Sequence, residues 1–370
     1  MEINLSHHWH KIQTFLFPRL EEELGQMTSK HHQLITTIEL ARVEDVINSR
    51  YHRIGRPLEN RKNIAHAYIA KAIYNLPTTA SIIERLHSDP KMRQICGWAS
   101  KHDIPSESTF SRAFAEFAKT SLSTRAHELF IKTHHSTSRF HNVLRDSTPI
   151  EAREKSIKKP EKTKNPSQKK RGRPKKDAIA SIDEKQTKEQ TRLELQITMG
   201  LDEMLADLPK ACDVGCKKNS KGFIASWKGY KLHIDTADGD LPISAILTSA
   251  SVHDGQVALP LSQITEQRIS HCYDIMDAAY DSQIIRDYSA SKGRVALIDF
   301  NNRGPKDTRL FERHEAERYK ARSGAERVNS QLKDNFGGSL IRVKGHAKIM
   351  CHLMFGLLAL TIDQSLRLLT

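Results

Sequence analysis

From the N-terminus to about residue 140, apolar residues recur three and four positions apart, the spacing of one face of a helix. RKNIAHAYIAKAIYNL (61–76) shows the pattern most fully, and TTASIIERL (78–86) opens on threonines suited to cap a helix. Asp89-Pro90 interrupts the pattern before a short KMRQICGW segment. After Ile104-Pro105, SESTFSRAFAEFAK places Phe110, Phe114 and Phe117 at i, i+4 and i+7, a stripe that belongs in a core. Short helices joined by tight breaks fit a plain helical packing domain. They equally fit a helix-turn-helix that exposes Ser108, Thr109, Ser111 and Arg112.

From residue 141 the period changes toward two. HNVLRDST (141–148) predicts a short strand ending at Asp146. FIASWKGYKLHIDTA (223–237) and LPISAILTSA (241–250) predict two more, separated by the turn signal Asp238-Gly239-Asp240. CYDIMDAAY reads as a buried strand, followed by a helix near 282–290 and the strand RVALIDF. A helix over about 315–335 and a last apolar helix close the chain. The expected class is α/β, with an all-helical N-terminal domain over 1–140 and an α/β domain over 141–370.

Residues 151–195 break the second region. They are rich in Lys, Pro, Ser and Gln and poor in apolar residues, which predicts an exposed linker or loop. Twelve Lys/Arg against three Asp/Glu fall within 151–176, a surplus of nine out of the net +14 of the whole chain. A cationic run that dense points to a polyanionic partner. A membrane is the weaker partner: MEINLSHHWHK lacks a basic and then apolar leader, so no signal peptide is expected. The most apolar run, Ile349–Ile362, contains His352, stops at Asp363 and is too short to span a bilayer. Five scattered cysteines (Cys96, Cys212, Cys216, Cys272, Cys351) fit a reducing cytoplasm. Cys212 and Cys216 lack the second ligand pair of a structural zinc site. His7, His8 and His10 have no partner cluster and read as solvated.

Three acids stand out by position. Asp146 and Asp277 end strand patterns, and Glu326 lies inward on the helix of 315–335. Carboxylates at strand ends often face the crevice where an open α/β sheet binds ligands. With no His/Cys set around them, they suit hard, oxygen-seeking Mg²⁺ or Mn²⁺. A pair of such ions suits in-line phosphoryl displacement. Any one strand-end Asp is also a common turn or cap residue, and Asp274, Asp281 and Asp299 lie close by. The helix adds a second pattern: in YKARSGAERVNSQLK, Tyr319, Arg322, Glu326 and Lys333 fall within roughly 60° of one another at ~100° per residue.

Tyr319-x-x-Arg322-x-x-x-Glu326 followed by Lys333 resembles the Tyr-Arg-Glu-Lys signature of DDE transposases encoded by bacterial insertion sequences, in residue type and spacing. Asp146-Ser147-Thr148 resembles the first catalytic Asp segment of that family, and Asp277-Ala278-Ala279-Tyr280-Asp281 the second, with Ala-Ala where relatives often carry a glycine. WKGYKLH (227–233), TSASVHD (248–254) and the block MRQICGW…IPSESTFSRAF resemble other parts, so the similarity covers residues 40 to 365. The resemblance implies an RNase H-like catalytic core in which Asp146, Asp277 and Glu326 hold two Mg²⁺ or Mn²⁺ ions. It implies cleavage at the ends of an element and strand transfer into target DNA. Arg322 and Lys333 would hold phosphates, and Tyr319 would bond a phosphate or stack on a base. A homodimer on paired ends, working in the bacterial cytoplasm, follows from that chemistry.

KKRGRPKK (169–176) resembles an AT-hook core, in which Arg171 and Arg173 would follow an A·T minor groove; a nonspecific basic linker is the alternative. Trp227, Tyr230 and His233 fall on a strand pattern near the expected site and read as packed strand residues, with contact between His233 and DNA as the alternative. His253-Asp254 reads as support for the site. Two rivals remain at this level: a metal-dependent nuclease that cuts without joining, and a catalytically silent, transposase-derived DNA-binding protein.

Overall fold

The computed structural model describes residues 5–47, 61–157, 190–218, 222–300 and 310–369. The segment KKRGRPKK, with Arg171 and Arg173, lies outside these described residues. The expected exposed linker ends in short structure: Arg192–Gln196 is a helix opened by a capping box between Thr191 and Glu194.

Six strands form one mixed sheet: β1 (Arg139–Glu151), β2 (Asp213–Lys218), β3 (Ile224–Ala237), β4 (Leu241–Ser249), β5 (Ser270–Met276) and β6 (Val295–Ile298). Across its main body the order is β4-β3-β1-β5-β6. β1, β5 and β6 run parallel, while β3 is antiparallel to both β1 and β4. β2 pairs only with the first part of β3. This arrangement, preceded by helices, is consistent with an RNase H-like core. The β3–β4 hairpin turns at Gly239 (φ +76°) and Asp240 (φ +58°), two consecutive left-handed residues whose twist suits a hairpin.

β1 runs longer than its sequence pattern suggests. Its pairing with β5 stops at Arg145↔Met276, but its pairing with β3 continues to Glu151↔Gly229. Asp146 therefore does not end the strand. It stands at the first position where β1 has lost its neighbour on one side.

Helices cover both faces of the sheet. Ser323–Asn335 packs on β1 and β3 from one side; Ala258–Glu266 packs on β3 and β4 from the other. His346–Arg367 has the length and hydropathy of a membrane span, yet most of it is buried. It packs against β4 and against four N-terminal helices: Ser29–Ala41, Arg61–Ile73, Glu107–Lys119 and Leu122–His135. One apolar cluster thus runs from Leu34 through Phe110, Phe114 and Phe117 to Ile362. Buried polar bridges fix the register of this helix: His127 to Thr361 at 3.0 Å, His135 to Ser365 at 2.9 Å, and Ser123 Oγ donating to the Cys351 carbonyl at 3.1 Å. Burial pushes His127 down to about 3 and His135 to about 4, so both bridge as neutral rings.

Among the N-terminal helices the expected threonine cap is in place, and Asp89, which reads in sequence only as a break, caps a helix as well. Thr78 accepts from the Ser81 N–H, and Asp89 accepts from Met92 N–H with Pro90 as the first helical residue. On Glu107–Lys119, Ser108, Ser111 and Arg112 are exposed and Thr109 is half-buried, opposite the phenylalanine stripe.

Beneath the sheet lies a buried charge network. Arg145 is 2% exposed and makes a bidentate pair with Asp235, both contacts 2.7 Å. Asp235 also accepts from Thr265 Oγ1 at 2.7 Å. Asp274, 4.0 Å from Arg145, accepts from Ser289 at 2.8 Å and pairs with Arg294 and His271. Burial opposes the Arg145 charge, but Asp235 and Asp274 outweigh it and hold the guanidinium ionised.

Removing one partner strands the other in the core. Arg145→Met is expected to destabilise the fold by about 3–5 kcal/mol in urea titration, whereas Arg145→Met combined with Asp235→Leu recovers much of that loss. A single variant as stable as wild type would refute this role for the pair.

Candidate active site

Asp146 and Asp277 are neighbours because β1 and β5 are parallel and paired up to Arg145↔Met276. Their carboxylates meet at the carboxyl ends of these strands, the edge where open α/β sheets carry their sites. The Asp277 side chain also accepts from the Ala279 N–H at 2.9 Å, capping the turn Ala278–Tyr280. The third acid comes from the helix above. That helix is not continuous over 315–335: Arg313–Tyr319 passes through a tightened turn at Lys320–Arg322 before Ser323–Asn335 begins.

Glu326 is not inward, as its position in the helix had suggested. Its side chain is 62% exposed, because Ala325, Val328, Asn329 and Leu332 form the face against the sheet. It reaches the other acids through Arg322. One guanidinium lies 2.9 Å from Glu326, 3.5 Å from Asp146 and 3.6 Å from Asp277. Three like charges are gathered around a single cation, and the Nε of that cation remains buried without a hydrogen-bond partner.

Two contacts set the helix at this distance. Arg327 makes a bidentate pair with Asp240 in the hairpin turn, at 2.6 and 2.7 Å. Gly324 allows the close approach: a Cβ there would come 2.7 Å from both Leu144 and Asp240. Asn329, one turn after Glu326, donates to Asp146 at 3.0 Å.

Tyr319, at the end of Arg313–Tyr319, and Lys333, near the end of Ser323–Asn335, flank the acids, both half-buried. The Tyr319 ring packs on Phe311, and burial pushes its hydroxyl up to about 12, so it stays protonated. Lys333 is lowered by burial and then by the charge of Lys217, against the pull of Asp334, Glu151 and Asp146.

Several members of the site were not singled out by sequence pattern. Lys217, on β2, acts electrostatically on Asp146, Asp277 and Lys333. Asn329 gave no signal because one amide on a helix has no spacing to betray it. Asp254 was expected to support the site, and it is a fourth carboxylate there. It pairs with Lys231 at 3.0 Å and lies 3.7 Å from His233. Burial opposes its ionisation, but His233, Lys231 and Ser147 hold it below the usual range. His233 is a packed strand residue, fully buried against Thr248 at 3.0 Å, and Trp227 donates to the Tyr230 carbonyl at 2.9 Å.

The donor set fits a hard divalent cation. It is all carboxylate oxygen around a position already favourable to positive charge. Among the described residues, however, no three His, Cys, Asp or Glu side chains come together as a group that could hold a metal ion, and the Arg322 guanidinium lies within 3.6 Å of both aspartates.

The comparisons with known proteins agree on one family of activities. A model of the transposase DDE domain matches residues 206–362, and a transposase domain model (DUF772) matches residues 19–116. Together they support a transposase of the DDE type. No curated protein and no solved structure matched the chain.

Asp146 and Asp277 both titrate above the ordinary value of 3.8, each because burial outweighs the nearby positive charge. A folded-state pKa above the unfolded one means that the native state binds the proton more readily. These groups therefore weaken the fold above the raised pKa, and the penalty fades as pH falls toward 3.8. Asp146→Asn should thus be more stable than wild type at neutral pH, with the difference shrinking on acidification. Urea melts across pH check this; a variant less stable than wild type at every pH would contradict it.

Proposed function

We propose that the chain is a DNA transposase that cleaves the ends of its element and joins them to target DNA. The observation that carries this reading is the gathering of Asp146, Asp277 and Glu326 around the Arg322 guanidinium. The strand order, with three antiparallel strands followed by two parallel ones, supports an RNase H-like core. All three carboxylates of the motif are intact, which favours an active enzyme over a silent DNA-binding derivative.

In this reading Asp146, Asp277 and Glu326 hold two Mg²⁺ or Mn²⁺ ions. When bound, such ions supply Lewis-acid stabilisation of the attacking and leaving oxygens of an in-line displacement. The protein's own groups do the rest. Arg322, freed from bridging the acids, offers its donors to a phosphate beside the scissile bond. Lys333 adds a second cation on the same side. Tyr319, held protonated, donates a hydrogen bond to a phosphate or lies against a base. Asn329 orients Asp146, and Asp254 with Lys231 and His233 braces the loop after β4. The helical region over residues 1–140 serves as DNA-binding domain, and two copies hold paired ends in the bacterial cytoplasm. The basic segment with Arg171 and Arg173 adds DNA affinity.

Glu326→Gln should lose DNA end cleavage and strand transfer by about a thousandfold or more, the scale of deleting one member of a catalytic unit. Binding in a gel shift should persist. Retained cleavage would sink the assignment, and cleavage without joining by wild type would identify a nuclease instead.

Arg322 competes for the position that a divalent cation needs. Arg322→Gln should bind Mn²⁺ more tightly than wild type in the absence of DNA, by up to about fivefold for one partly exposed ion pair. Calorimetric titration reads this directly; equal or weaker binding would show that the guanidinium does not compete.

A further inference from the structure

β2 and the first half of β3 form a ribbon that leaves the main sheet. β1 pairing reaches only Gly229 and β4 pairing only Tyr230, so, among the described residues, 224–228 have β2 as their one neighbouring strand. Two strands alone are marginal in water, and this ribbon is held at its root. Asp213 accepts from the backbone N–H of Ser251 at 3.0 Å and from the Ser251 hydroxyl. The Trp227 ring lies so close over Gly215 that a Cβ there would collide with it, and its indole N–H is bonded to Tyr230.

Beyond that root the ribbon exposes both apolar and cationic side chains. Phe223 is 70% and Ile224 73% exposed, an uncommon position for two large apolar side chains in sequence. Lys217 and Lys228 are exposed on the two strands, and after Asp213 the described part of the ribbon contains no acid. Its location is as informative as its composition. Lys217 is near enough to Asp146, Asp277 and Lys333 to act on all three. Lys217 and Lys333 repel one another, and an anion between them would relieve that.

We propose that this ribbon is a DNA-holding finger beside the active site: Lys217 and Lys228 contact phosphates, while Phe223 and Ile224 lie against bases unpaired at the DNA end. The inference rests on the DNA-processing reading above and assigns it a contact surface. Lysines that meet phosphates position the backbone without reading sequence. Apolar side chains against base faces are equally tolerant of sequence and favour unstacked bases. The rigid root lets the ribbon present both without an ordering cost at binding.

The test compares two probes of arbitrary sequence, a blunt duplex and a forked duplex with 2-aminopurine in its unpaired arm, bound to the full-length protein. Lys217→Ala should weaken binding to both and reduce the slope of log K against log salt by about one. Phe223→Ser with Ile224→Ser should bind the blunt duplex as wild type does. It should lose about tenfold on the fork, the scale of one base stacked on a side chain, together with the 2-aminopurine signal. Equal loss on both probes by the double variant, or no loss by either variant, would overturn the finger while leaving the DNA reading intact. Wild type that binds neither probe would overturn both.

Discussion

The site depends on a strand that must not slip. Asp146 is useful only on the face of β1 that meets the helix Ser323–Asn335, and a one-residue slip would turn it to the opposite face. The residue before it prevents this. Arg145 points the other way, into the core, and its fork closes on the Asp235 carboxylate of β3 with Asp274 of β5 nearby. A planar guanidinium satisfied at both ends accepts few alternative registers. One buried ion pair thus ties β1 to β3, with Asp274 of β5 4.0 Å away on the other side, immediately beneath the acids above.

The arrangement above the sheet has the opposite character. Asp146 and Asp277 are brought together at a cost: burial opposes the ionisation of both, the charge of Asp277 adds to it at Asp146, and that of Asp254 adds to it at Asp277. Arg322 offsets that cost with three contacts of 2.9 to 3.6 Å. Its bonds are longer and more exposed than those of Arg145, and its Nε has no partner. One arginine is buried in a short bidentate pair; the other makes longer, more exposed contacts, as the proposed displacement by a cation requires. That contrast in geometry separates the foundation of the site from its working part.

Much of this was legible from sequence, for identifiable reasons. Phe110, Phe114 and Phe117 declared their burial by helical spacing, and Thr78 declared a helix start by cap chemistry, whereas Asp89-Pro90 read only as a break although Asp89 caps the next helix. Asp146 and Asp277 stood out because strand patterns ran into them. What stayed hidden depended on three-dimensional partners. β2 was missed because Val214-Gly215-Cys216-Lys217 has no strong alternation, and its strand forms by pairing with β3. Asn329 has meaning only against Asp146. The orientation of Glu326 was misjudged because helical phase alone assumes an unbroken helix, whereas the chain tightens at Lys320–Arg322 and the apolar face of Ser323–Asn335 takes the sheet. The single long core shared by the N-terminal helices and His346–Arg367 was also invisible locally, since it joins residues over 300 positions apart.

That shared core bears on how the two ends of the chain act together. His346–Arg367 lies against β4, and His346 itself bonds the Leu247 carbonyl at 2.7 Å. The same helix is clasped by four N-terminal helices, one of which, Leu122–His135, bridges to it through two neutral histidines that would be costly to charge in so apolar a place. A helical region joined in this way does not swing on a tether. Where its exposed face, with Ser108, Ser111 and Arg112, contacts DNA, the position of that DNA relative to Asp146 and Asp277 is set by packing. In the proposed reading, binding and chemistry are then coupled by rigid geometry: a cavity cut into the core around His127 or Phe355 would loosen the distance between the held DNA and the acids proposed to act on it.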